Sequence, residues 1–149
     1  MIEIYTLEIP QLKQDEGFRA EAYQDSLGYL TQGYGTKLPL SQYEASRVKN
    51  PKKWTEKEAE ELLEYRLRAS SRAIANKKPF MEKLSSQRQR VIFNMAYQLG
   101  VIKLLLFKKF WTALEERDFA KAADEMKDSR WYMQTPKRAN RLINRMLEG

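Results

Sequence analysis

The chain has 149 residues, 42% of them hydrophobic and 32% charged, which is the size and composition of one packed domain. It contains no histidine and no cysteine, so a Ser-His-Asp triad, a thiol nucleophile and a histidine- or thiolate-ligated metal site are excluded, and acid–base work falls to carboxylates. A formal net charge of +7 calls for an acidic partner.

At the N-terminus, Met1-Ile2-Glu3-Ile4-Tyr5 puts an acid where a signal peptide would carry bases, so synthesis in the host cytoplasm without a leader is expected. Pro10 suits the first turn of a short helix and Gly17 the left-handed residue that ends it, which places Glu16 at the helix C-terminus. From Phe18 to Leu38 the chain turns aromatic, threonine-bearing and glycine-rich, a pattern of short strands and tight turns. Ser26-Leu27-Gly28 fits a three-residue hairpin loop with Gly28 at positive φ. Asp25 then lies opposite Tyr29, and strand alternation puts Thr31 on the face of Tyr29, diagonally across from Asp25. Gly33 and Gly35 read as backbone requirements of a bent strand.

After Pro51 the helical period holds to the end. Thr55-x-x-Glu58 is a capping box, followed by the apolar stripe Ala59, Leu62, Leu63, Leu67 and Ile74 of a long helix that ends before Pro79. Ser85 or Ser86 caps a second helix whose run Val91, Ile92, Phe93, Met95, Ala96, Tyr97 and Leu99 belongs in the centre of the core. Asn94, on that helix, is expected to bond a neighbouring backbone group. Three more amphipathic segments follow, marked by Phe107 to Leu114, Phe119 to Met126 and Ala139 to Met146. The longest apolar run, Leu104-Leu105-Leu106-Phe107, is far short of the roughly 18 residues of a membrane span. The layout is a small mixed lobe over about 18–54, a connecting helix over about 55–76, and a larger helical lobe over about 77–149 together with the N-terminal helix.

Glu16-x8-Asp25-x5-Thr31 is the constellation that can carry chemistry, since acid–base work in this chain falls to carboxylates. By spacing alone it is weak: Glu beside Gly is most often an exposed helix end, Asp beside Ser a turn-former, and Thr a good strand residue. Basic residues concentrate in Arg47, Lys49, Lys52 and Lys53, and in Arg130, Lys137, Arg138, Arg141 and Arg145. Several of the second group leave the stripe Ala139, Leu142, Ile143 and Met146, and Arg141 and Arg145 are expected to face solvent and attract an anionic polymer.

The stretches Asp15-Glu16-Gly17, Tyr23-Gln24-Asp25, Gly28-Tyr29-Leu30-Thr31-Gln32-Gly33-Tyr34-Gly35, Asn94-Met95-Ala96-Tyr97-Gln98-Leu99-Gly100 and Ser129-Arg130-Trp131-Tyr132-Met133-Gln134-Thr135-Pro136-Lys137-Arg138-Ala139 resemble, in order and spacing, the T-even phage lysozymes of glycoside hydrolase family 24. The resemblance implies an α+β, mostly α-helical, two-lobed lysozyme-like fold, with a small β-hairpin lobe joined to a helical lobe by the long helix. It implies a muramidase that cuts the β-1,4 bond between N-acetylmuramic acid and N-acetylglucosamine with inversion. Glu16 would be the general acid, Asp25 and Thr31 would position and activate the water, and Arg138 would pair with the acid across the cleft. Two influences on Glu16 oppose each other: the helix's negative end favours the protonated acid, and Arg138 favours the carboxylate.

Tyr23, Tyr29, Gln98 and Gln134 are substrate-contact candidates, because sugars are held by amide and hydroxyl hydrogen bonds and by flat apolar faces; ordinary core or rim roles are the plainer reading. Trp131 reads as core rather than sugar platform. Thr36 and Met133 depart from the family pattern, where a histidine and an amide are common. The implied partner is bacterial peptidoglycan, met by a monomer without cofactor or metal, without nucleic acid or stable membrane insertion, and with a separate holin for export. The rivals are a silent wall-binding module of the same fold, which loss of Glu16 or Asp25 would favour, and a nucleic-acid binder, which the charge alone suggests and no binding signature supports.

Overall fold

The computed structural model describes residues 3–149, so Met1 and Ile2 of the expected single domain lie outside the described residues. A 3-10 turn, Ile4–Glu8, leads into α1 (Ile9–Glu16), which has Pro10 in its first turn and ends at Gly17 with φ 69°. An antiparallel sheet in the order β1 (Arg19–Gln24), β2 (Leu30–Gly33), β3 (Thr36–Lys37) follows. Gln24 pairs with Leu30 and Tyr23 with Thr31, a register set by the loop in which Asp25 N–H donates to Tyr29 O at 2.9 Å and Gly28 has φ 87°.

The sheet's inner side is anchored by local polar bonds. Gln32 is buried and its Nε2 donates to the carbonyls of Ala20 (2.8 Å) and Pro51 (3.3 Å), while Trp54 Nε1 donates to Pro51 O at 3.1 Å. Gly33, at φ 70°, lies so close to Trp54 that a Cβ there would sit 2.9 Å from the indole. Only glycine fits that approach.

A short helix, α2 (Gln42–Ala45), has a complete Ser41–Glu44 capping box, and Glu44 also takes two bonds from Arg66, at 2.7 and 3.1 Å. Arg66 belongs to α3 (Glu56–Lys77), which the Thr55–Glu58 capping box starts as expected. The buried helix is α4 (Ser86–Leu99), capped by Ser85; it packs against α3, the 3-10 turn and the C-terminal helix. After a break at Gly100 (φ 88°) come α5 (Val101–Leu105), α6 (Lys108–Glu115), α7 (Phe119–Lys127), α8 (Arg130–Gln134) and α9 (Pro136–Glu148). The short helices α2, α5 and α8 lie outside the segments that the periodicity marks. At five residues or fewer, they are too short to display a helical period. The result is the expected α+β fold, mostly helical with one small antiparallel sheet.

Two expectations need correcting. Arg141 and Arg145 do not form a free solvent face: Arg141 donates two hydrogen bonds to Asp15, one to each oxygen (2.8 and 2.7 Å), and Arg145 donates to Glu8 at 3.0 and 3.2 Å. Charges beside an apolar stripe can meet acids from distant elements, and here the acids come from α1 and the 3-10 turn before it. Asn94 bonds no backbone group among the described residues; it is bound to the side chains of Glu8, Asp15 and Arg138.

Candidate active site

A cleft of about 540 Å³ opens between the sheet and the helices, and Glu16, Tyr23, Asp25, Thr31, Gln98, Gln134 and Arg138 all line it. Of the eight candidates, only Tyr29 is absent from this lining.

Glu16 is the last residue of α1, so its carboxyl stands where the helix carbonyls are unpaired. Arg138 Nη1 donates to its Oε2 at 2.8 Å, and the side chain is mostly buried. The turn at Gly35, φ 70°, closes over the same carboxyl: a Cβ there would lie 2.6 Å from Glu16 Cδ. Glycine suits the positive φ there, and any side chain at this position would displace the acid's carboxyl.

Asp25 divides its two oxygens. Oδ1 accepts from the N–H groups of Leu27 (2.9 Å) and Tyr29 (2.8 Å), which holds the hairpin loop in an Asx-type turn. Oδ2 makes no intramolecular hydrogen bond among the described residues and is left for the cleft. The turn-forming and functional readings of this residue are therefore compatible.

Thr31 is 3% exposed, and its hydroxyl donates to Tyr29 O at 2.9 Å, which leaves the oxygen lone pairs as acceptors. Across β1, Tyr23 carries the Arg19 guanidinium 4.3 Å from its ring centre. Burial, followed by the negative charges of Glu16 and Asp25, pushes the Tyr23 phenol above its ordinary pKa. The phenol therefore stays protonated and able to donate at neutral pH.

From the helical side, Gln98 Oε1 accepts Trp131 Nε1 at 2.8 Å, which anchors the indole at the cleft wall although Trp131 is buried. Gln134 closes α8 and borders both this cleft and an adjoining cavity of about 830 Å³. Tyr29 lines the adjoining cavity instead; the residue is 45% exposed, and Lys37 Nζ (4.8 Å) and Lys103 Nζ (5.5 Å) both approach its ring centre. The two cavities share Leu27, Leu99, Lys103, Trp131 and Gln134 along their border.

Behind Glu16 stands a polar layer that the sequence reading did not assemble. Arg138 Nε donates to Asn94 Oδ1 at 3.0 Å and lies 3.5 Å from Asp15, leaving Nη2 without a partner among the described residues. Burial pushes the Asp15 carboxyl up, but the bonds from Arg141, the charge of Arg138 and the amides of Asn94 and Gln11 outweigh it and hold the group below the usual range. The available signal was periodic: Tyr5, Glu8, Leu12 and Asp15 follow one helical row, and Arg138, Arg141 and Arg145 follow another. Among the described residues, no group of three potential acidic metal ligands converges.

The arrangement offers one carboxyl clamped by a guanidinium, a second carboxylate with a free oxygen, and a buried hydroxyl acceptor, all on one groove. A family model described as phage lysozyme matches residues 13–148. The chain is 35% identical over 151 residues to the Probable T4-type lysozyme 1 of Dictyostelium discoideum, covering 89% of each protein. It is 32% identical over 155 residues to the pre-baseplate central spike protein Gp5 of Enterobacteria phage T4, covering 93% of this chain and 27% of that one. With the peptidoglycan hydrolase gp36 of Pseudomonas phage phiKMV it shares 27% identity over 140 residues, 91% of this chain and 14% of the other.

Proposed function

The chain belongs to the T-even phage lysozyme family and is a lysozyme, a hydrolase of peptidoglycan, and on that premise we propose that it is an inverting muramidase. Its target would be the β-1,4 bond between N-acetylmuramic acid and N-acetylglucosamine. The observation that carries the reading is that Glu16, Asp25 and Thr31, from a helix end, a hairpin loop and a strand, line one cleft.

In this mechanism Glu16 gives its proton to the glycosidic oxygen as the bond from that oxygen to the anomeric carbon breaks. Water adds to the opposite face of the sugar and passes a proton to the free Oδ2 of Asp25. Thr31 holds that water through its acceptor lone pairs, since its own proton is committed to Tyr29 O. Arg138 occupies Oε2 of Glu16, which directs the catalytic proton to Oε1. Tyr23, Gln98 and Gln134 contact the glycan, and Tyr29 contacts a part of it beyond the scissile bond, over the adjoining cavity. Residues 18–54 would act as a small lobe against the helical lobe, with 55–76 as the connecting helix.

The test is a turbidity assay on purified peptidoglycan. Glu16→Gln and Asp25→Asn should each lose lysis by at least about a hundredfold while remaining folded, with wild-type products ending in reducing muramic acid of inverted configuration. Retained lysis by Glu16→Gln removes it as the acid, and a retained anomer removes the inverting mechanism.

A further inference from the structure

Glu8 is fully buried, at 0% exposure, at the end of the 3-10 turn that precedes α1. A carboxylate in that position is costly unless every oxygen is met. Here Oε1 takes bonds from Arg90 Nε (2.9 Å) and Arg145 Nη1 (3.0 Å), and Oε2 takes bonds from Arg145 Nη1 (3.2 Å) and Asn94 Nδ2 (2.8 Å). Apolar side chains of similar volume would fill such a site at equal or lower energetic cost, so stability alone does not account for the cluster.

What an apolar cluster cannot do is orient an amide. Asn94 is also 0% exposed, and its Nδ2 donates to Glu8 Oε2 and, at 3.1 Å, to Asp15 Oδ2. A reversed amide would turn its oxygen on two carboxylates, so the two acids together force Oδ1 towards α9. There it accepts Arg138 Nε at 3.0 Å, and the same guanidinium reaches Glu16 Oε2 through Nη1 at 2.8 Å. A guanidinium is planar, so fixing Nε fixes the direction in which Nη1 points. Glu8, Asn94, Arg138 and Glu16 form an unbroken polar chain across four elements, the 3-10 turn, α4, α9 and α1. Of the two bonds to Asn94 Nδ2, the one to Glu8 is the shorter.

We propose that Glu8 is a positioning residue of the hydrolytic site: through Asn94 it sets the plane of the Arg138 guanidinium, and through Arg138 the carboxyl of Glu16. The proposal rests on the reading of Glu16 as the acid. Its contribution lies in the rate of the chemical step and not in glycan binding, because none of Glu8, Arg90 and Arg145 lines the cleft.

The decisive variant replaces the whole buried ion cluster, Glu8→Leu with Arg90→Met and Arg145→Met, so that packing substitutes for the lost pairs. On soluble peptidoglycan fragments its kcat should fall about tenfold with KM unchanged, since a misdirected acid loses rate and not affinity. Asn94→Ala breaks the next link while leaving both arginine pairs of Glu8 in place, and should give the same loss of kcat. In an Arg138→Lys background, where the planar link is already gone, neither change should reduce kcat by more than about twofold further. Wild-type kcat in either folded variant overturns the proposal. So does a loss that multiplies undiminished onto Arg138→Lys, because that is what general destabilisation produces. Should the triple variant not fold, Asn94→Ala alone decides. Glu16→Gln is run beside them: if it remains lytic, the acid reading itself has failed, whereas an inactive Glu16→Gln with a fully active triple variant sinks only the role of Glu8.

Discussion

The hairpin loop and α9 both bring charge to the cleft, by opposite means. Asp25 is held by bonds to residues two and four positions away, inside a loop that its own sequence specifies. Arg138 and Arg141 are held by bonds to Glu16 and Asp15, 122 and 126 positions away, which exist only once α1, α4 and α9 have packed. A locally held group survives as long as its turn does. A group held at long range shares the cooperativity of the whole core, and damage to it spreads to both fold and chemistry.

The strongest way to break the contrast is at Arg138. Arg138→Ala leaves the buried Asp15 and Asn94 oxygens and Glu16 without their shared donor, so unfolding free energy should fall by about 3–5 kcal/mol. Lysis should drop about a hundredfold in the molecules that remain folded. Urea melts read beside turbidity rates check both. A variant that loses activity while keeping wild-type stability would show that Arg138 is as locally held as Asp25.

Arg141 should come next, at about 2 kcal/mol for Arg141→Ala, a lower figure because this side chain is partly exposed. The depressed pKa of Asp15 adds a pH test. A carboxyl with a folded value below its unfolded one contributes stability that is complete above the ordinary range near about 3.9. That contribution is lost as pH falls through the depressed folded value. Wild type should therefore lose stability below about pH 4 more steeply than Arg141→Ala, in which Asp15 has lost its largest stabilising partner. Parallel acid limbs would mean the pair contributes nothing. So would an Arg141 variant that changes only the salt dependence of wall association.

The same contrast explains what could be read in advance. Thr55-x-x-Glu58, Ser85 and the Asp25–Gly28 loop are devices whose donors and acceptors lie within a few residues, so spacing specifies them and the structure contains them. The apolar stripes of α3, α4 and α9 were legible for a related reason: burial repeats with the helix. The ion pairs were not legible, because the period that puts Arg141 and Arg145 beside the stripe does not say which helix brings an acid to meet them. Asn94 was misread likewise; its buried position was foreseen, and its carboxylate partners come from α1 and the turn before it. Glu16 and Arg138 lie 122 residues apart, and the expectation of that pair came from the family resemblance and not from spacing.

On the local side, Asp25→Asn should change stability by less than about 1 kcal/mol, since the amide oxygen can still accept from Leu27 and Tyr29. Asp25→Ala removes both bonds and should cost about 1–2 kcal/mol. If the proposed chemistry is right, both are equally inactive, because neither offers a carboxylate to the water. Stability that separates them while activity does not is the signature of an oxygen for the turn and an oxygen for the cleft. Activity retained by Asp25→Asn would mean that the free Oδ2 is not the water's base.

The smallest effect is expected where the two regions touch. Tyr29, at the hairpin tip, lies 5.5 Å from the ammonium of Lys103 on α5, a contact across the mouth of the adjoining cavity. Lys37, from the neighbouring strand, lies closer on the same ring, at 4.8 Å, so the aromatic face is already engaged without any help from the helices. An exposed cation–π pair contributes about 0.5–1 kcal/mol, and sharing one ring between two ammonium groups that repel each other places the cross-cavity member at the lower end. A double-mutant cycle with Tyr29→Leu and Lys103→Met should therefore give a coupling of about 0.5 kcal/mol or less. The corresponding cycle with Lys37→Met should give the larger value. If the Lys103 coupling exceeds the Lys37 coupling, the hairpin tip depends on the packed helices more than on its own sheet, and the contrast between a locally held loop and a long-range helix fails at the point where the two meet.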